Sequence, residues 1–368
     1  MNDLRTIESA WKSGGDRVNN FDAIRFFAAA AVVLSHSFEI TGGFGAFEPL
    51  MALTDGQASL GRAAVLIFFA LSGFLIVKSW CADPRLGAFV VKRGLRIAPA
   101  LWCVVLISLV VIGPFFTTVD FLSYLQHAQT GQYVANAFLY TKYFSLPGVF
   151  ADVPLESVVN GPLWTLKFEV LCYALVAIFG IFGLLSRFVC LGMIALAYGV
   201  HLMGNGETHA GAAYYVFAGA DLMRAFFVGA AAALFADKVV LDDRFALSAG
   251  IGLFAAAILG VFDAVFPLLG GYLVFYFGFA TSGRLARFGK HGDFSYGIYV
   301  WGFPLQQITM AMTGIGLWYV NFALAFPLTL AAAYLSWRYV EAPSLRLKSR
   351  LLKNGRQQPV KRLKQAHT

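Results

Sequence analysis

The segment FDAIRFFAAAAVVLSHSFEI, residues 21–40, has the length and polarity of a membrane-spanning helix. Twenty helical residues at about 1.5 Å each cover the roughly 30 Å hydrocarbon core of a bilayer. Yet the segment carries Asp22, Arg25, His36 and Glu39. Ionisable groups at that depth are costly and mark sites of function or pairing. Arg25 and His36 fall on one helical face, about 16 Å apart along the axis, too far to touch. Asp22 lies one turn before Arg25 and Glu39 one turn after His36, on neighbouring parts of that face.

The rest of the chain has the same character. Of its 368 residues 59% are hydrophobic and 13% charged, about half the charge of an ordinary soluble domain. About ten spans can be read, near 21–40, 61–80, 94–113, 163–184, 188–203, 214–236, 245–263, 265–283, 294–312 and 318–340. The predicted fold is therefore an all-α polytopic transmembrane bundle. Residues 1–20 are polar, without the apolar run of a removable signal, so 21–40 is expected to be the first permanent span.

Basic residues alternate with the spans. Arg85, Lys92, Arg93, Arg187, Lys238, Arg244, Arg284, Arg287 and Lys290 fall in or beside loops on one side, and Glu48, Asp55, Asp120, Asp152, Glu156 and Glu207 on the other. By the positive-inside rule both termini are expected in the cytoplasm. The tail 344–368 holds eight Lys/Arg and no acid, matching the whole chain's net charge of +8. Beside a last span such a tail reads as a cytoplasmic anchor touching anionic lipid rather than as a nucleic-acid patch. Residues 114–162 form the longest non-spanning piece, expected outside and either interfacial or re-entrant, between the flanks of one bundle domain, 21–343.

Four cysteines without CxxC spacing and six histidines without a paired HxxxH pattern give no ground for a disulfide or metal framework. Three other places hold candidate chemistry. In VKRGLRIAPALW, 91–102, Lys92, Arg93 and Arg96 fall three and four residues apart at the entry to the third span. Guanidinium forks in pairs suit phosphate, although positive-inside anchoring explains the same pattern. In GPLWTLKFEVLCYAL, 161–175, Glu169 enters the fourth span, where a carboxylate needs a base or a ligand. Glu341 in RYVEAPSLR is expected to pair with a base at the inner boundary. The aromatic span FSYGIYVWGFPLQQ, 294–307, reads as belt and packing.

Taken in order, these segments together with AAVLIFFALSGFLI, 63–76, and YVEAPS resemble the acyltransferase-3 family of integral-membrane acyltransferases, over about Phe21 to Pro343. The resemblance implies a ten-helix bundle in a bacterial cytoplasmic membrane. It also implies transfer of an acyl group, most often acetyl from cytoplasmic acetyl-CoA, to hydroxyls of extracytoplasmic glycans or lipid-linked saccharides. It assigns His36 as the catalytic histidine, Arg25 as its motif partner, Arg93 and Arg96 as the paired arginines and Glu169 as the acidic position. Where many members carry a histidine in the aromatic span this chain has Gly302, so no role is carried to that position. No esterase-like domain of the kind some members carry is expected after the last span, so acceptor docking is expected to use the bundle and 114–162.

The mechanism this implies places CoA phosphates on Arg25, Arg93, Arg96 and the neighbouring Lys92, with the pantetheine arm threading toward His36. A neutral imidazole there accepts the hydroxyl proton for direct attack on the thioester, or takes the acetyl group itself. Glu169, or alternatively Glu39, is expected to orient the ring. A secondary transporter or lipid flippase is the rival reading, with polar residues lining a pathway; a silent scaffold is a third.

Overall fold

The computed structural model describes residues 5–14, 19–43, 45–204, 211–280 and 285–354. Glu207, Arg284 and the tail beyond Asn354 lie outside these. Ten principal helices follow in order: α1 (Phe21–Gly42), α2 (Leu60–Ala82), α3 (Leu86–Ile107), α4 (Leu166–Ile181), α5 (Arg187–Gly204), α6 (Gly211–Leu234), α7 (Asp243–Ile258), α8 (Phe262–Phe279), α9 (Ser295–Thr313) and α10 (Trp318–Ser336). No strand occurs among the described residues, only the isolated bridges Thr6 to Val240 and Thr117 to Val149. Among the described residues, eight helices are long and apolar enough to cross a membrane. The other two expected spans form as helices: α7 has 16 residues, and α9 carries Ser295, Gln306 and Gln307 on buried positions.

Burying α9 with its polar groups requires partners, and the structure supplies them. Gln306 Nε2 donates to the Val33 carbonyl at 2.8 Å and to Ser37 Oγ at 2.6 Å on α1. Gln307 Nε2 donates to the carbonyls of Leu155 and Val158 at 2.9 and 2.7 Å. At the tightest helix pair, α2 on α6, glycine is obligatory. A Cβ on Gly73 would strike the Phe226 carbonyl, and one on Gly229 the Ala70 carbonyl, so the two backbones touch directly.

The 114–162 stretch is neither one interfacial helix nor a simple loop. Helix α3 runs on through a π-turn, Ser108–Ile112, to Phe116. Short helices follow at Phe121–Gln126 and Ala128–Tyr133, then a 3-10 turn at Val134–Phe138. The chain then re-enters along α9, burying Leu146, Val149, Leu155 and Val159. Pro304 in α9 has no N–H, which strips the Val300 carbonyl of its helical donor. Asn160 Nδ2 fills that vacancy at 3.0 Å. The re-entrant segment is therefore fixed at the proline and delivers α4 deep in the bundle, with Glu169 in its first turn.

Candidate active site

Helices α1 to α4 and α9 enclose a cavity of about 110 Å³ lined by Arg25, Arg93, Arg96, Ser72, Glu169 and Tyr173 among others. Three arginines that the sequence placed on two separate spans thus meet at one site. They are not equivalent. Arg25 pairs with Asp22 and lies 3.6 Å from Asp293. Arg96 pairs with Asp293 at 2.6 Å and reaches Glu341 at 3.7 Å, which gives Glu341 the basic partner expected of it. Arg93 forms no ion pair among the described residues; Tyr173 and Glu169 are its polar neighbours, and its buried Nε has no hydrogen-bond partner.

Asp293, in the turn before α9, is the residue that sequence reading missed. Burial would raise its carboxyl pKa, but Arg25 and Arg96, with the Ser295 hydroxyl and N–H, hold it well below the usual carboxylate range. One carboxylate therefore ties arginines from α1 and α3 to the start of α9. Lys92 takes no part in the cavity, contrary to expectation. It turns to Asp83 at 2.9 Å in the short connection between α2 and α3. Hydrogen bonds from Arg85 and Lys92 keep Asp83 well below its ordinary pKa. Position 92 is about 100° around the helix from 93, which suffices to separate the two fates.

Glu169 accepts hydrogen bonds from Ser72 Oγ at 3.1 Å and from the Tyr173 hydroxyl. It makes none to His36, and neither does Glu39. The expected orienting contact is absent because Glu169 sits on the arginine side of a polar-aromatic layer. There the hydroxyls of Thr165 and Tyr299 lie 2.6 Å apart, and Tyr299 donates to the Pro162 carbonyl at 2.8 Å.

His36 lies beyond that layer. Its half-buried ring packs edge-on against Phe303, with centroids 5.2 Å apart, and neither ring nitrogen has a hydrogen-bond partner among the described residues. Along α9, Tyr296 stands at Arg96, Tyr299 lines the cavity, and Phe303 meets His36 about 6 Å further on. The cavity's lining includes Tyr299 but neither Phe303 nor His36.

A second ionic group, also missed from sequence, sits near the opposite end of α2. Asp221 and Asp263 share Arg62 at 2.6 and 3.0 Å, Arg224 at 2.9 and 3.1 Å, and His201 at 2.8 and 3.5 Å. Arg224 is fully buried. It also donates to the Asp263 carbonyl at 3.3 Å, the group freed by Pro267 four residues on. His201, Asp221 and Asp263 bring ligand atoms within 4.8 Å of one another. A cation there would have to displace two guanidinium groups from the same carboxylates, so the set works as an ion-pair hub joining α2, α5, α6 and α8. The ionisable residues inside GADLMRAFF and VHLMG were the available signal.

Comparison with known proteins agrees with this architecture. An O-acetyl transferase of Shigella phage Sf6 is 27% identical over 335 residues, covering 88% of this chain and 95% of that protein. Nodulation protein 10 of Rhizobium leguminosarum bv. viciae is 27% identical over 365 residues, covering 92% and 96%. No solved structure gives a significant match. The family model described as an acyltransferase domain matches residues 18–338. With its multi-pass helical bundle and one cavity gathering the arginines and the glutamate, the chain belongs to the acyltransferase-3 family.

Proposed function

We propose that this protein is an O-acetyltransferase that moves acetyl from cytoplasmic acetyl-CoA to a hydroxyl of an extracytoplasmic glycan or lipid-linked saccharide, in a bacterial inner membrane. The observation that carries the reading is the convergence of Arg25, Arg93 and Arg96 on one cavity, with His36 one helical turn past its far wall. The names of the two relatives, one of them an O-acetyl transferase, support the acyl group and the oxygen acceptor. Family membership favours acyl transfer over the transporter or flippase reading. The excess of Lys and Arg at the arginine end supports a cytoplasmic donor side.

In this reading the arginines grip donor phosphates and the thin thioester arm passes Tyr299 and Phe303, whose side chains must move to admit it. His36 takes the proton of the acceptor hydroxyl, the oxygen attacks the thioester carbonyl, the C–S bond breaks, and the CoA thiolate leaves to be protonated. Transfer by way of an acetyl-histidine obeys the same balance. Glu169 serves the donor side, held by Ser72 and Tyr173.

Mass spectrometry of surface polysaccharide from cells with and without the protein tests the function: an acetyl increment present only with the protein is expected, and identical spectra overturn it. The arginines are tested by acetyl-CoA binding. Because Arg93 forms no ion pair among the described residues, Arg93→Gln is expected to weaken binding by about tenfold or more, the value of one charge-assisted hydrogen bond. The loss should shrink at high salt. Arg96→Gln removes the base paired with Glu341 and leaves Asp293 with Arg25 and Ser295 alone, so it should also lower thermal stability. Unchanged donor affinity in both variants returns these residues to the role of topology anchors.

A further inference from the structure

Between α3 and α4 lies a second space, an apolar groove of about 540 Å³. Its rim residues Leu86, Trp102 and Ile181 are exposed on helices fit to cross a membrane, so the groove opens sideways into the bilayer. Its floor is made of small residues, Gly94 and Ala98 on α3 and Ala174 and Ala177 on α4. The turn around Ala137 closes one end, where Trp102 Nε1 donates to the Ala137 carbonyl at 2.8 Å.

Two features point to a ligand. Gly94 sits inside a helix, which costs about 1 kcal/mol relative to alanine, yet a Cβ there would meet nothing within 4 Å. No neighbour in the described chain requires the glycine; the room it leaves belongs to the groove. Arg93 is the one charged residue among the groove's lining, and it is the arginine with no ion pair and a buried, unpartnered Nε. From Arg93 to Trp102 is nine residues, about 14 Å, close to half of the roughly 30 Å hydrocarbon core.

We propose that the groove binds one phospholipid from the leaflet at the arginine end, its acyl chain lying over Gly94, Ala98 and Ala174 and its phosphate accepting hydrogen bonds from Arg93 while no acyl donor occupies the neighbouring cavity. An apolar trough suits an alkyl chain, and a guanidinium whose Nε is unpartnered and which forms no ion pair among the described residues can take an anion. A bilayer lipid carries both at the separation of a single leaflet. A polyprenyl phosphate shares this chemistry, but its chain is far longer than the distance from Arg93 to the closed end.

Native mass spectrometry of the full-length protein with phosphatidylglycerol, in the absence of any acyl donor, tests the site. Wild type should retain one phosphatidylglycerol after washing. Retention should fall about tenfold in Arg93→Gln and be lost in Gly94→Phe, which puts a ring into the groove from a position where an added Cβ meets nothing within 4 Å. Leu196→Phe, on the exposed face of α5, should retain lipid as wild type does. Equal retention in wild type, Arg93→Gln and Gly94→Phe overturns the proposal, as does displacement of phosphatidylglycerol by equimolar polyprenyl phosphate. With no donor present, either failure leaves the acetyl-transfer reading untouched.

Discussion

His36→Ala should lower glycan acetylation by about 100- to 10,000-fold, the range lost with a general base, while the protein stays in membranes at wild-type abundance. The separation of activity from stability follows from the ring's surroundings. Among the described residues His36 has no side-chain hydrogen bond to lose, and its ring contact is an edge-on packing with Phe303. Truncation therefore strands no buried polar partner, the usual source of large destabilisation. Acetylation at the wild-type level in this variant would remove His36 from the chemistry. A fall in abundance that tracks the fall in acetylation would make its role structural. In the proposed reading Glu169 serves the donor side, so Glu169→Gln should instead act on donor binding, with the Ser72 and Tyr173 bonds weakened rather than broken.

Arg224→Leu should be the most destabilising single change outside the cavity. It leaves Asp221 and Asp263 with Arg62 and His201 alone, and the Asp263 carbonyl, freed by Pro267, without its donor. Removing one partner of a buried ion pair costs about 3–5 kcal/mol. The effect is read as a lowered midpoint of thermal aggregation in detergent. Arg62 is 39% exposed and offers the same carboxylates a solvated partner, so Arg62→Leu should cost less. Pairing Arg224→Leu with Asp263→Asn should recover part of the loss, because it removes the uncompensated charge. An unchanged midpoint for Arg224→Leu would show that the hub carries no stability.

The helices themselves were legible because apolar length is a local property. The expected 21–40 is Phe21–Gly42 and the expected 188–203 is Arg187–Gly204. The third span starts at Leu86 rather than near 94, because Lys92, Arg93 and Arg96 depress the apolar average over a helix that is already formed. What sequence could not supply was the pairing of distant groups. Asp293 meets Arg96 across 197 positions and Asn160 meets Val300 across 140, separations on which no periodicity bears. Lys92 and Arg93 are neighbours with the same charge, and only the fold decides that one faces Asp83 and the other the cavity. The position of Glu169 depends on how deeply the preceding segment dives, and that depth is set at Pro304.

The proline and its amide have an evolutionary consequence. In a chain with any other residue at 304, the Val300 carbonyl recovers a donor from its own helix and Asn160 loses its task. Positions 160 and 304 should therefore drift as a pair, and so should 224 and 267 for the same reason. A swap of Pro304 alone would leave an idle amide beside α9, an invitation for the next mutation to strike there.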